Sequence, residues 1–187
     1  MKEAFEKLKE DIAKIDTPLK HTAKNLVFSD GIPESRVVII GEAPGRDEDE
    51  QGKPFVGRAG RLLDQMLAAI DLDRTKNCYI TNIVNYRPPE NRTPTPDEIA
   101  LFRPYIMAHL CIIKPKVILA LGATAVKGLL QTQEGISKLR GNFQNLDLLG
   151  TNVPVMPTWH PAYLLRDPRQ KAGAWEDLKK FKEKIGE

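Results

Sequence analysis

Residues 37–55, VVIIGEAPGRDEDEQGKPF, constrain the fold more than any other stretch of the chain. The β-branched run VVII stops abruptly at Gly41, and a carboxylate, a Pro-Gly pair, a run of acids and the aromatic Phe55 come directly after it. Such a run reads as a buried strand. The residues beyond Gly41 are too rich in turn formers and charge to be core. Strands of an open parallel sheet deliver ligand-binding loops at their carboxyl ends, so the rest of the chain can be read by what it adds around this loop.

Downstream, strand and helix patterns alternate. Residues 57–70 place Leu62, Leu63, Met66, Leu67 and Ile70 at helical spacing, and CYITNIV (78–84) reads as a second strand. RPPENRTPTPDE (87–98) is too proline-rich for a helix or a central strand. It ends in a helix start, with Thr95 at the N-cap, Pro96 at the first helical position and Glu98 three residues after the cap. The spacing predicts a helix to about Ile113 with Ile99, Phe102, Ile106 and Leu110 inward. KVILAL (116–121) reads as a third strand, 122–130 as a short helix, and EGISKLRGNF (134–143) as a loop. A fourth strand at 153–158 runs into WHPAYLLR, and a last helix over 170–185 carries Trp175, Leu178, Phe181 and Ile185 on one face. At the other end, Phe5, Leu8, Ile12 and Ile15 stripe a peripheral helix over 2–15, and 16–33 reads as an irregular lead-in. This alternation implies an α/β fold with a parallel sheet between helical layers.

At 187 residues, 41% hydrophobic and 28% charged, the chain suits one domain over 1–187. No apolar run approaches a membrane span, and MKEAFEKLKEDIAKI lacks the apolar core of a signal peptide, so a cytoplasmic protein without membrane contact is expected. Cys78 and Cys111 each lie in an apolar run and read as small core residues rather than a disulfide framework or metal site. Residues 101–187 hold 13 Lys and Arg against 7 Asp and Glu, whereas the first hundred hold 15 against 18. A basic C-terminal half is compatible with a polyanionic partner.

In a parallel sheet, GEAPG (41–45), Asn82 with the RPP loop, the strand end Leu121-Gly122 and TWHPAYLLR (158–166) all emerge on one rim. A site needs its groups brought together in this way. GEAPG matches neither GxGxxG nor GxxxxGK[ST], so neither a dinucleotide nor a nucleoside triphosphate is supported. Glu42 reads either as an ordinary solvated acid or as a site residue, and its place between a buried strand and a Pro-Gly turn favours the site. Asn82 offers a donor and an acceptor side by side, which suits a nucleobase edge, and His160, preceding Pro161, can donate to a carbonyl or anionic oxygen. A turn-forming asparagine and a capped core histidine are the plainer alternatives. Phe55, in GKPFVG, reads either as a stacking platform for a planar ring or as a hydrophobic plug. His21 and His109 have no such setting and read as surface or helix-packing residues.

GEAPGRDEDEQGKPFVGRAG, YITNIVNYRPPENRTPTPDEI, PKVILALGATA, ISKLRG and TWHPAYLLR resemble, in order and spacing over about residues 19–178, the uracil-DNA glycosylase superfamily, above all the family-4 type of bacteria and archaea. The resemblance implies a three-layer α/β/α sandwich around a four-stranded parallel sheet, flipping of uracil out of DNA, and hydrolysis of its N-glycosidic bond to leave an abasic site. It also implies that Glu42 orients the attacking water, Phe55 stacks on the base, and Asn82 with the backbone near Ala43 reads the uracil edge. His160 would face the base oxygen that gathers charge, and Glu48 would line the pocket near the base C5 edge. Arg140, Tyr163 and Arg166 become candidates for holding DNA, with Leu164 or Leu165 as a wedge. The implied partner is uracil-containing DNA, single- or double-stranded, bound by a monomer in the nucleoid of a bacterium or archaeon.

One departure stands out. Family-4 enzymes hold an iron–sulfur cluster on four cysteines, and those positions fall near Lys14, Thr17, Tyr86 and Phe102. Without thiolates no such cluster is expected, and Tyr86 and Phe102 are expected to fill the space by packing. A changed base range, such as hypoxanthine or xanthine, and a non-catalytic damaged-DNA binder are the alternatives to uracil excision.

Overall fold

The computed structural model describes residues 1–187. Its strands are β1 (Asp30–Gly31), β2 (Val37–Gly41), β3 (Tyr79–Asn82), β4 (Val117–Leu121), β5 (Gln144–Leu148) and β6 (Thr151–Thr158), joined in one sheet of order β1-β3-β2-β4-β6-β5. The inner strands β3, β2, β4 and β6 are parallel, as the apolar runs imply. Val38, Ile39 and Ile40 of β2 and Ile118, Leu119 and Ala120 of β4 are fully buried, because helices cover both faces.

The sheet has six strands rather than the expected four. Two antiparallel edge strands were missing from the sequence pattern, each for a physical reason. β1 is only two residues long, too short to leave a periodicity. β5, QNLDL, buries Leu146 and Leu148 while Asn145 and Asp147 face solvent, and its polar composition hides that alternation. β5 turns into β6 through Leu149 and Gly150, whose φ values of 52° and 83° suit a tight hairpin. Leu at the first of these positions masks the usual Asn-Gly signal.

The helices are α1 (Lys2–Ala13), α2 (Leu19–Thr22), α3 (Arg46–Gln51), α4 (Arg58–Ala68), α5 (Pro96–Ile113), α6 (Gly122–Leu130), α7 (Ile136–Leu139), α8 (Pro161–Arg166) and α9 (Lys171–Ile185). α1, α5 and α6 cover one face of the sheet, and α4, α8 and α9 the other. The capping box at Thr95 forms as its sequence predicts: the Thr95 hydroxyl accepts from the Glu98 amide, and Glu98 accepts from the Thr95 amide. Trp175 is 41% exposed instead of inward; Ala174, Leu178 and Phe181 make the buried stripe of α9. The expected loop 134–143 winds into α7, and PAYLLR into α8. His109 is buried, its Nε2 2.8 Å from the Tyr79 hydroxyl, under Phe5 of α1. No helix is long and apolar enough to cross a membrane.

Candidate active site

A cleft of about 500 Å³ opens at the carboxyl ends of the parallel strands, and Glu42, Ala43, Glu48, Phe55, Asn82 and His160 all line it. Three of the four strand ends grouped from the sequence line this cleft; Leu121-Gly122 does not, and Gly122 instead packs against His160. The cleft floor depends on a missing side chain at Gly41. A Cβ there would stand 2.4 Å from Phe55 Cζ and 2.6 Å from Asn82 Oδ1, so only glycine lets both groups close over the end of β2.

Asn82, the last residue of β3, is 2% exposed, and its Oδ1 is buried without a hydrogen-bond partner. Buried polar atoms are almost always paired, so this orphan acceptor has capacity to take a hydrogen bond from a donor entering the cleft. Phe55 is 6% exposed, and its ring centroid lies 5.6 Å from that of His160 with a 31° tilt.

His160 lies just after β6 and caps α8, with its Nδ1 accepting from the Ala162 amide at 3.0 Å. In the neutral ring the proton then sits on Nε2, free to donate. Burial, helped by the charge of Arg166, lowers the His160 pKa to about 4, so the ring is neutral at pH 7. Gly122, at φ 88°, makes room for it: a Cβ there would meet His160 Cβ at 2.9 Å. Glu42 is half-buried, and burial holds its carboxyl above the ordinary range against the opposing pull of the Thr124 hydroxyl and Arg166.

Two acids of the run 47–50 have structural roles. Glu48 lies in the cleft wall, but its carboxylate is occupied: Oε2 accepts from the Gly45 amide at 3.2 Å and Oε1 from Val56 and Gly57 at 3.0 Å each. It ties the loop before α3 to the loop after it. Asp49, 1% exposed, accepts from the amides of Lys24 and Asn25 and anchors the N-terminal segment. Acids in the first turn of α3 also suit the positive end of that helix.

The DNA-binding candidates divide. Tyr163 packs against Trp159 at 4.7 Å, and Arg166 is exposed at the end of α8, 6.0 Å from the Tyr163 ring. Leu165 is half-buried, whereas Leu164 is 1% exposed and packed with α4, so it cannot serve as a wedge without leaving the core. Arg140 is turned inward, donating to both oxygens of buried Asp177 at 2.8 and 3.1 Å and to the Gly173 carbonyl. Asp177 also accepts from Thr158, so Arg140 braces the end of β6 instead of offering a free cation. Sequence reasoning missed Arg46, Arg58 and Arg87, which line the cleft mouth. Arg46 is followed at once by the acids DEDE, and Arg58 and Arg87 are single bases in glycine- and proline-rich stretches, so none of them forms a basic run along the chain.

The positions where the resemblance places cluster ligands hold no thiolate. Lys14 is exposed and Thr17 buried, while Tyr86 and Phe102 are core residues in edge-to-face contact at 6.2 Å. No group of three or more His, Cys, Asp or Glu could hold a metal ion. These residues do not fit an iron–sulfur cluster.

Residues 28–179 match the family model of the uracil DNA glycosylase superfamily. The chain is 44% identical over 168 residues to a type-4 uracil-DNA glycosylase of Thermotoga maritima, covering 88% of this chain and 85% of that protein. Type-4 uracil-DNA glycosylases of Archaeoglobus fulgidus and Sulfurisphaera tokodaii are 40% and 37% identical, covering 90% and 97% of this chain and 86% and 84% of theirs. On the extent of these matches, the chain belongs to the uracil DNA glycosylase superfamily.

Proposed function

We propose that this protein excises uracil from DNA, as the names of its relatives suggest, and does so without an iron–sulfur cluster. The observation that carries the reading is the orphan Oδ1 of Asn82, buried in a cleft that also holds a carboxylate and a neutral histidine. Asn82 accepts from uracil N3–H and donates to the adjacent carbonyl, a pairing that the N3 acceptor and amino group of cytosine reverse. Phe55 stacks on the flipped base and offsets part of the unstacking, which costs a few kcal/mol.

The chemistry needs stabilisation at two poles. As the bond from C1′ to N1 breaks, its electron pair leaves with the base and the sugar becomes oxocarbenium-like. His160 Nε2–H donates to the base oxygen that takes up the charge, and a neutral donor suits an anionic leaving group that is not fully protonated. Glu42 orients water toward C1′ and receives its proton as the new C–O bond forms; a carboxyl raised by burial is the stronger base. Arg46, Arg58, Arg87 and Arg166 approach the DNA backbone, and Leu165 takes the wedge position. Tyr86 and Phe102, packed in one hydrophobic core with Ile12, Ile15 and Leu19, take over what an iron–sulfur cluster would supply in holding the N-terminal segment, and Asp49 holds Lys24 and Asn25.

The test is a set of single- and double-stranded oligonucleotides carrying uracil, hypoxanthine or xanthine, read for free base and alkali-labile sites. Uracil release with an abasic product is expected. Binding to uracil-containing DNA without release would establish a damage binder instead, and release of hypoxanthine alone would move the substrate.

A further inference from the structure

The geometry points to Arg74 as the positioning residue that holds Phe55 as the floor of the base pocket, an inference that rests on the stacking role proposed for Phe55. Phe55 has φ of 53°, a left-handed conformation that an aromatic residue keeps only when its surroundings impose it. Arg74 lies outside the cleft lining and reaches Phe55 from behind. Its guanidinium donates to the Pro54 carbonyl at 2.7 Å through Nη1 and to the Phe55 carbonyl at 2.7 Å through Nη2.

Those carbonyls belong to the two peptide planes on either side of the Phe55 Cα. One planar, rigid fork therefore fixes both φ and ψ of residue 55, which a point-like ammonium cannot do. The fork is itself held: Asp64 at 2.9 Å and Asp30 at 3.4 Å grip its other edges, and the side chain is only 12% exposed. Glu48 completes the clamp by accepting from Val56 and Gly57. Gly60 leaves no slack, since a Cβ there would stand 2.0 Å from the Phe55 oxygen. An ordinary structural ion pair would engage only Asp30 and Asp64; the two carbonyls around Phe55 tie this one to the pocket.

The test compares Arg74→Lys, which keeps a charge between the two aspartates and so protects folding, with Phe55→Ala and the double variant. Arg74→Lys is expected to lower kcat/KM for uracil release about tenfold, mainly through KM, because stacking holds the flipped base before and during reaction. In the Phe55→Ala background the same change should cost less than about twofold, since its effect has no ring left to act through. An Arg74→Lys rate within about twofold of wild type, or losses that multiply in the double variant, would overturn the assignment. Amide hydrogen exchange at Val56 reads the clamp without reference to activity. It should quicken in folded Arg74→Lys; unchanged exchange overturns the clamp whatever the wild-type protein releases, whereas quickened exchange with no wild-type uracil release overturns only the functional reading.

Discussion

Gly41→Ala isolates the pocket from the rest of the fold. Gly41 does not have a positive φ, so alanine can adopt its backbone without strain. The added Cβ would stand 2.4 Å from Phe55 Cζ and 2.6 Å from both Phe55 Cε2 and Asn82 Oδ1, against ordinary contact from 3.4 Å. Ring and amide must retreat by about 1 Å, and a displacement of that size in a reacting geometry costs on the order of 10²-fold in rate. Overpacking costs about 1–3 kcal/mol, less than the roughly 5–15 kcal/mol that holds a domain together. Gly41→Ala should therefore melt cooperatively a few degrees lower and release uracil on the order of 10² times more slowly in single turnover. A folded variant with an unchanged rate would refute the close approach of Phe55 and Asn82 at the end of β2.

Further perturbations separate the roles of the remaining groups. His160→Ala should lower kcat by about 10²–10³-fold while the protein stays folded, the usual cost of losing one preorganised donor; an intact rate would remove His160 from the chemistry. Because His160 titrates near 4 and Glu42 above its ordinary 4.5, the acid limb of the pH–rate profile should follow Glu42, with activity rising as pH rises through its raised pKa and level through neutrality. A limb near 6.5 that disappears in His160→Gln would contradict this. Phe102→Ala, at a side chain 0% exposed, should cost about 3–5 kcal/mol in denaturant unfolding, and a neutral effect would show that the position is not a packed substitute for a cluster ligand. Asp49→Asn removes a carboxylate that accepts from two amides and should cost about 1–3 kcal/mol, with faster proteolysis near residues 20–25; unchanged proteolysis would argue against the anchor.

The parts of this molecule legible from sequence are those whose signal is local. β2 and β4 announce themselves as β-branched runs, α5 by its capping box, and Glu42, Asn82 and His160 by their places at strand ends. The features that escaped depend on contacts across the chain. Arg140 and Arg166 look alike in sequence, yet Asp177, 37 residues beyond Arg140, turns only Arg140 inward. The resemblance places Glu48 at the pocket, but the partners of Glu48 and Asp49 are backbone amides that leave no mark on composition. Leu164 and Leu165 differ by one step around α8, which puts one in the core and the other near solvent. β1 and β5 are edge strands, where burial on one side at most leaves a weak pattern.

The decisive measurement is single-turnover release of free uracil from a uracil-containing oligonucleotide at enzyme excess, by wild-type protein and by Asn82→Ala. Wild type should release the base and leave an alkali-labile site. Asn82→Ala, folded and still able to bind DNA, should be slower by at least about tenfold, the scale of one lost hydrogen bond to the base. Equal rates for the two proteins, or no release by a folded wild type, would contradict the assignment of this cleft as a uracil-excision site.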